Sequence, residues 1–275
     1  MSLRKGTAAV AGAMICLWAA FAAAQISDGV VKIGVLNDRS GLYADLSGQG
    51  SVIAAQMAKE DYGDAKGMKV EIVGADHQNK PDVGSNIARQ WLDVDKVDVI
   101  VDVPNSGVAL AVNEIVREKN KVFLNSGAGT SDLTGKACSP NTIHWTYDTW
   151  ALANGTGKAV VRTGGKTWFF IVADYAFGHT LEREASEVVV ANGGKVLGSV
   201  RHPLSTADFS SYLLQAQSSK AQVIGLANAG TDLTNAIKQA AEFGIVQGGQ
   251  RSSPACSCSS PTYTAWACRR RRDWC

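Results

Sequence analysis

Short runs rich in β-branched residues alternate along the chain with longer segments of mixed apolar and charged residues. In residues 48–62, for example, apolar and charged positions recur at helical spacing. Residues 97–103 are almost continuously apolar, which is typical of a strand buried on both faces of a sheet. This alternation predicts a parallel sheet with right-handed crossovers and helices on both faces. The predicted strands in this part of the chain are 30–36, 69–73, 97–103 and 121–124, and the predicted helices are 48–62, 83–92 and 106–118.

A long stretch rich in Gly, Ser, Thr and Asn, residues 126–147, interrupts the alternation, which then resumes. We therefore predict an α/β protein with two lobes that are joined near residues 141–147. The first lobe is placed at 25–144 and the second at 145–250. In the second series the predicted strands are 167–172, 195–200 and 222–227, and the predicted helices are 151–162, 178–191, 209–217 and 231–243.

The first 24 residues have the pattern of an export signal. Arg4 and Lys5 supply positive charge, residues 8–23 are apolar and uncharged, and small residues precede Gln25. The apolar stretch is shorter than the roughly 20 residues that a membrane-spanning helix needs, which disfavours a membrane anchor. Bulky Ile15 before Cys16 disfavours a lipoprotein. We predict a signal peptide at 1–24 and a mature protein outside the cytoplasm.

Composition and charge indicate an ordinary globular protein. The chain of 275 residues is 45% hydrophobic and has a formal net charge of +2, which gives no reason to expect nucleic acid or an anionic membrane as a partner. Of the 6 cysteines, Cys138 alone lies in the body of the protein. It either pairs with something outside the body or stays unpaired and buried.

Residues 251–275 differ from the rest of the chain. They contain four of the cysteines and the Arg run 269–272, and they show neither helical nor strand periodicity. Three interpretations are a disordered basic tail, a zinc-binding or disulfide-linked segment, and translation in a wrong reading frame after about Gly249 or Gln250. We favour the third, because a GC-rich gene read out of frame yields Arg, Ser, Pro, Ala and Cys in abundance.

No catalytic or metal-binding motif is present in the sequence. There is no Gly-x-Ser-x-Gly elbow, no His-Glu-x-x-His and no phosphate-binding Gly-rich loop after the first strand. The 4 histidines are scattered without the spacing of metal ligands. We therefore expect neither an enzyme nor a metal or cofactor.

Two polar loops follow neighbouring predicted strands. Asn105 and Ser106 come after the strand at 97–103, and Ala128 and Thr130 come after the strand at 121–124. Open α/β sheets bind ligands at this edge, where helix N-termini present backbone N–H groups that suit a carboxylate. A single Ser or Thr at such a position most often caps a helix, which is the alternative for Ser106, Ser126 and Thr130. Two such loops side by side favour a binding site.

Several segments, in the same order, resemble the periplasmic branched-chain amino acid (Leu/Ile/Val) binding protein family. They are KIGVL at 32–36, SGLY at 40–43 with Gly48, DVIVD at 98–102, SGAGT at 126–130 and DYAFG at 174–178. The resemblance covers residues 30–249 and implies two Rossmann-like lobes with parallel sheets, the type I periplasmic binding fold. In that family the lobes close over a ligand, which the membrane permease of an ABC importer then receives. The family's chains run beyond this one, so the second lobe is expected to be incomplete.

The resemblance also implies a ligand site. The two polar loops are expected to hold a carboxylate from the first lobe, while Tyr175 and Phe177 close over the ligand from the second. Packing beside a helix start is an equal alternative for Tyr175 and Phe177, and core or hinge packing is expected for Trp145 and Tyr147. The complete set of expected ligand-binding residues is Tyr43, Asn105, Ser106, Ala128, Thr130, Tyr175, Phe177, Asn228 and Ala229.

The ligand class stays open at this point. In the family an acidic residue that often binds the ligand's amino group lies just beyond the region of resemblance. A branched-chain or other amino acid is therefore expected, with an aromatic or aliphatic carboxylic acid as the alternative. Two other functions are a ligand sensor and a Rossmann-like enzyme. Residues 37–41 make a poor phosphate-binding turn, which disfavours the enzyme.

Overall fold

A computed structural model describes residues 29–63, 67, 69–245 and 267–269. The predicted signal peptide at 1–24 and most of the unusual tail at 251–275 lie outside the described residues. No helix in the described part of the chain is both long and apolar enough to cross a membrane.

The first sheet has five parallel strands in the order β2-β1-β3-β4-β5. Its core lies between the sheet and its helices, where Ile100, Phe123 and Val112 are fully buried. The strands are β1 (Val31–Asn37), β2 (Val70–Asp76), β3 (Val99–Asp102), β4 (Val122–Asn125) and β5 (Thr142–His144). The helices are α1 (Gly48–Ala58), continued by a π-helical turn (Lys59–Gly63), α2 (Pro81–Asp93) and α3 (Ser106–Glu118), followed by a 3-10 turn (Ser131–Leu133).

The short edge strand β5 was not predicted from the sequence. It lies inside the polar stretch 126–147, and its central residue, Ile143, is 50% exposed. A three-residue edge strand with an exposed centre has no alternating apolar pattern, so it resembles a loop in sequence.

The second sheet has the order β7-β6-β8-β9. Strands β6, β7 and β8 are parallel, and β9 is antiparallel to β8. A helical segment precedes this sheet and consists of α4 (Thr149–Leu152), a π-helical turn (Ala153–Gly157) and α5 (Lys158–Arg162). The remaining elements are β6 (Thr167–Ala173), α6 (Ala176–Ala191), β7 (Lys195–His202), α7 (Ser210–Ser218), β8 (Val223–Ala227), α8 (Gly230–Glu242) and β9 (Ala267–Arg269).

Large aromatic side chains fill the core of the second sheet. Trp168 and Phe170 on β6 are fully buried, and the Trp168 indole N–H donates to the Gly165 carbonyl oxygen at 2.9 Å. A Cβ at Gly225 on the neighbouring strand β8 would lie 2.4 Å from the Phe170 ring. Glycine is therefore needed at this position of β8, because any larger residue would displace the ring.

Two features of the described region differ from what the sequence predicted. The tail has no strand periodicity in its sequence, but the backbone of residues 267–269 pairs with β8. Cys138 was expected either to pair outside the body or to be unpaired and buried, and the buried alternative is wrong because the thiol is exposed. Pairing outside the body stays a prediction. The division between the two sheets falls between β5 and α4. The lobe boundaries 25–144 and 145–250 stay predictions.

Candidate ligand-binding site

A cavity of about 140 Å³ lies where the carboxyl ends of strands from both sheets meet. Ligands bind at this edge in open α/β sheets. Its lining combines hydroxyl groups, aromatic rings, one carboxylate and glycine backbone. The lining residues are Tyr43, Leu46, Ser47, Ser51, Asp102, Pro104, Ser126, Gly127, Gly129, Tyr147, Tyr175, Phe177 and Ala229.

Two tyrosines connect the lobes across the cavity. The hydroxyl of Tyr43, in the loop after β1, is hydrogen-bonded to the hydroxyl of Tyr175, which precedes α6. Burial raises the pKa of Tyr43 and of Tyr175 well above the ordinary value for tyrosine. Both groups are therefore neutral phenols, and one donates to the other.

The carboxylate of Asp38 holds the loop that carries Tyr43. It accepts hydrogen bonds from the backbone N–H groups of Gly41 and Tyr43, each at 2.8 Å, and from the side-chain amide of Asn79. Asp38 is fully buried, so these bonds replace the water that the carboxylate loses on folding. They fix the position of the Tyr43 ring at the cavity.

The first turn of α8 touches the same loop from the second lobe. Gly230 has φ of +62°, and a Cβ there would lie 2.5 Å from the carbonyl oxygen of Leu42. The backbone N–H of Thr231 donates to that oxygen at 3.4 Å. The left-handed conformation and the close approach both require glycine.

Asp102, at the end of β3, is the acidic residue of the lining. It is 5% exposed, and its carboxylate accepts hydrogen bonds from the Asn37 side-chain amide at 3.3 Å and from the Ser126 hydroxyl at 3.5 Å. Burial raises its pKa, and the hydroxyl of Ser51 opposes this shift by a further hydrogen bond. Asp102 and Val103 both adopt left-handed backbone conformations, with φ of 77° and 58°.

Of the first-lobe residues that the sequence placed at the site, Tyr43 lines the cavity, whereas the residues of the two polar loops, Asn105, Ser106, Ala128 and Thr130, lie beside it. The Asn105 side chain caps α3, accepting from the backbone N–H groups of Gly107 and Val108. The hydroxyl of Ser106 accepts from the backbone N–H of Thr130 at 3.3 Å. The capping alternative therefore describes the observed contacts of this loop, and its role in gripping a carboxylate stays a prediction.

Thr130 and Ala128 are fully buried in the second polar loop. The Thr130 hydroxyl caps the 3-10 turn and lies 3.2 Å from the hydroxyl of Thr180 on α6, which links the two lobes. The carbonyl oxygen of Ala128 contacts the His144 ring at 2.6 Å. Gly127 and Gly129 of the same loop do line the cavity.

In the second lobe the structure brings Tyr175, Phe177 and Ala229 to the cavity, while Asn228 lies outside its lining. The Asn228 amide contacts the His202 ring at 3.2 Å, and its buried side-chain oxygen has no hydrogen-bond partner among the described residues. Asp232, on the first turn of α8, accepts from the backbone N–H of Ser205, and burial raises its pKa to about 6.

Sequence reasoning missed several lining residues. Asp102 belongs to a motif of the family resemblance, yet nothing in the strand pattern showed that its side chain faces a cavity. Tyr147 was assigned to core or hinge packing and lines the cavity instead. Trp145 was assigned to the same packing, and this is wrong because it is 79% exposed. No group of side chains in the described part of the chain could hold a metal ion.

Two sheets that are parallel except for β9, with a cavity between their strand ends, have the architecture of type I periplasmic binding proteins, which confirms the predicted fold class. A family model described as periplasmic binding protein matches residues 30–262. The chain belongs to this periplasmic binding protein family, and the predicted resemblance to Leu/Ile/Val-binding proteins is confirmed.

Solved structures of similar proteins support this assignment. A periplasmic binding protein from Burkholderia mallei is 58% identical with a TM-score of 0.77, and the match covers 80% of this chain and 59% of that one. A branched chain amino acid ABC transporter periplasmic ligand-binding protein from Burkholderia xenovorans LB400 is 43% identical with a TM-score of 0.64 and the same coverage, 80% and 59%. A solute binding protein of an ABC transporter from R. palustris, in complex with 4-hydroxybenzoate, is 26% identical with a TM-score of 0.71, covering 78% and 59%.

Among curated proteins, a Leu/Ile/Val-binding protein homolog from Brucella abortus is 27% identical over 195 residues. This match covers 70% of the chain but 49% of the relative, so the chain spans about half the length of the curated relatives it matches. These relatives are named as binding proteins of transporters rather than as enzymes. Family membership implies a protein that works outside the cytoplasm.

Proposed function

We propose that the protein is the solute-binding component of an ABC importer and captures a small organic solute between its two lobes. The observation that carries this proposal is the cavity itself, whose wall comes from both lobes, with Tyr43 and Asp102 on one side and Tyr175 and Phe177 on the other. A site built in this way is complete only when the lobes meet. Ligand binding then favours the closed form by the difference between its affinities for the closed and open forms.

The size of the cavity limits the solute to a small molecule. Its volume is about 140 Å³. An apolar protein cavity of about 150 Å³ holds one benzene molecule, so the ligand is an amino acid of ordinary size or a single-ring compound. The first candidate is a branched-chain or other small amino acid, the class named for the relative from Burkholderia xenovorans. The second is an aromatic carboxylic acid, favoured by the aromatic rings in the lining and by the 4-hydroxybenzoate complex of the relative from R. palustris.

The remaining parts of the proposal concern cellular context. Residues 1–24 direct export, and the mature protein works in the periplasm, where it hands its solute to a membrane permease. The protein captures and releases its solute without forming or breaking a covalent bond.

A thermal-shift screen followed by isothermal titration calorimetry tests this function. The full chain is screened with leucine, isoleucine, valine, benzoate and 4-hydroxybenzoate at millimolar concentration. A ligand present at 100 times its Kd stabilises the folded protein by about 2.7 kcal/mol, which gives a readily measured rise in Tm. A cooperative melt that none of the candidate solutes shifts would contradict the proposal.

Uptake assays test the link to transport. Deleting the gene should abolish high-affinity uptake of the identified solute, and expression of the intact chain should restore it. Unchanged uptake in the deletion strain would show that the protein is not needed for import of the solute it binds.

A further inference from the structure

The described lining of the cavity contains one carboxylate and no basic side chain. Among the described residues that line it there is no Lys, Arg or His, and Asp102 is the only ionisable group besides the three tyrosines. The groups that donate hydrogen bonds to the Asp102 carboxyl are neutral: they are the side chains of Asn37, Ser51 and Ser126. The cavity is therefore negative whenever Asp102 is ionised.

The neutral partners of Asp102 leave its charge weakly compensated. The hydrogen bonds from Asn37 and Ser126 are long, at 3.3 and 3.5 Å. Burying an ionised carboxylate is strongly unfavourable unless a positive charge or strong hydrogen bonds compensate it. A ligand that brings a positive charge into the cavity supplies this compensation, whereas a ligand that brings a second carboxylate next to Asp102 adds repulsion.

The backbone holds Asp102 in place at an energetic cost. Asp102 and Val103 are consecutive non-glycine residues with φ of 77° and 58°. A left-handed conformation is uncommon for any residue with a side chain and is an outlier for a β-branched one such as Val103. Such strain persists only where the surrounding structure enforces it, and it is concentrated at functional sites. In this protein it occurs at the strand end that places the carboxylate at the cavity.

Aromatic rings form much of the remaining wall. Tyr43, Tyr147, Tyr175 and Phe177 line the same cavity as Asp102. The faces of aromatic rings attract organic cations, and the attraction is strongest where water is excluded. A carboxylate among aromatic rings thus has the chemistry of an ammonium site.

We propose that Asp102 makes the cavity selective for solutes with an ammonium group, so that amino acids and simple amines bind and plain carboxylic acids, benzoates included, are rejected. This inference rests on the proposed function, because it takes the cavity to be the solute site. It decides between the two candidate solute classes in favour of the amino compound.

Matched ligands test the selectivity on the unmodified protein. Leucine, 3-methylbutylamine and 4-methylpentanoate share one 3-methylbutyl group and differ in whether that group carries an ammonium, a carboxylate or both. Benzylamine and benzoate form a second pair with a single ring. We expect the acids to bind at least about 10-fold more weakly than their amine counterparts in calorimetric titrations, because hydrogen bonds to charged groups are worth about 10- to 150-fold in affinity.

An isosteric variant tests whether the Asp102 carboxylate causes the selectivity. Asp102→Asn should weaken binding of the ammonium probes about 10- to 150-fold and reduce the preference for amine over acid. The control is Asp45→Asn, which removes the same charge from an exposed position in the loop after β1 and should leave the preference unchanged. Thermal melts of both variants establish that they are folded.

The possible results separate the inference from the function on which it rests. Acids that bind as tightly as the matched amines, or an Asp102→Asn variant with unaltered preference, would overturn the selectivity while leaving solute binding intact. A folded protein that binds none of the three ligand classes would overturn both. Because the ligand series uses the unmodified chain, a variant that fails to fold does not remove the test.

Discussion

Replacing Gly230 with Ala tests whether contact between the lobes sets ligand affinity. A Cβ at this position would lie 2.5 Å from the carbonyl oxygen of Leu42 and 3.1 Å from the Tyr43 ring, both in the first lobe. Real Cβ atoms do not come so close to a backbone oxygen, so we expect the second lobe, which carries both α8 and Tyr175, to move away from the Leu42 loop. That movement would break the hydrogen bond from Thr231 to Leu42 and the contact between the hydroxyls of Tyr43 and Tyr175.

The size of the effect follows from these two hydrogen bonds. Each contributes about 0.5–1.5 kcal/mol net to the closed form. Losing both costs about 1–3 kcal/mol, so ligand affinity should fall about 5- to 150-fold in calorimetric titrations. Folding stability should fall only by the cost of a left-handed alanine, about 1–2 kcal/mol, because the open form avoids the clash. Urea unfolding without ligand measures this loss of folding stability.

Gly193→Ala is the matched control. Gly193 lies in the same lobe with φ of +79°, and a Cβ there would meet nothing within 4 Å. This variant should therefore lose a similar amount of stability and keep its ligand affinity. If Gly230→Ala binds ligand as tightly as Gly193→Ala does, the contact between α8 and Leu42 has no part in closure and the reasoning is refuted.

Three further substitutions test other parts of the structure. Tyr43→Phe removes the hydroxyl contact with Tyr175 and should weaken binding about 2- to 10-fold by calorimetry without a large change in Tm; unaltered affinity would contradict a closing role. Burial lowers the pKa of His77 to about 4, so its neutral form contributes stability that is complete above pH 6.5 and is lost as the pH falls from about 6.5 to 4. The difference in unfolding free energy between the wild type and His77→Asn should therefore shrink by up to about 3 kcal/mol between pH 7 and 4, and a constant difference would refute this. Trp168→Ala should destabilise the protein by about 3–5 kcal/mol in urea unfolding, because it empties a fully buried site; a loss below 1 kcal/mol would contradict the assigned core.

Local sequence signals were sufficient for most helices and strands. Helix α3 was predicted at 106–118 and is found at Ser106–Glu118, because Asn105 supplies a strong cap immediately before a helical apolar pattern. Strand β5 and strand β9 were missed for a different reason. Each is three residues long and exists through pairing with a neighbouring strand, β4 or β8, and such pairing leaves no periodic pattern in the sequence.

The site was predictable at the level of loops but not of side chains. Both polar loops lie at the edge where the sequence placed them, yet Asn105 and Thr130 use their side chains to cap local structure. Capping and ligand binding compete for the same hydroxyl and amide groups, and the sequence does not show which use prevails. The placement of Asp102 at the cavity depends on two left-handed residues at the end of β3, and no local pattern predicts these for Asp and Val.

The two-lobed construction of the cavity separates affinity from selectivity. Closure changes the population of the binding-competent form, and a shift in that population multiplies the affinity of every ligand by the same factor. A contact made by Asp102 acts on one chemical group of the ligand, so it changes the ratio of affinities between ligands that do and do not carry that group. Gly230→Ala should therefore weaken the amine and the acid equally, while Asp102→Asn should change their ratio. A substitution at the contact between the lobes and a substitution in the cavity wall thus report on two independent properties, and a single ligand series measures both.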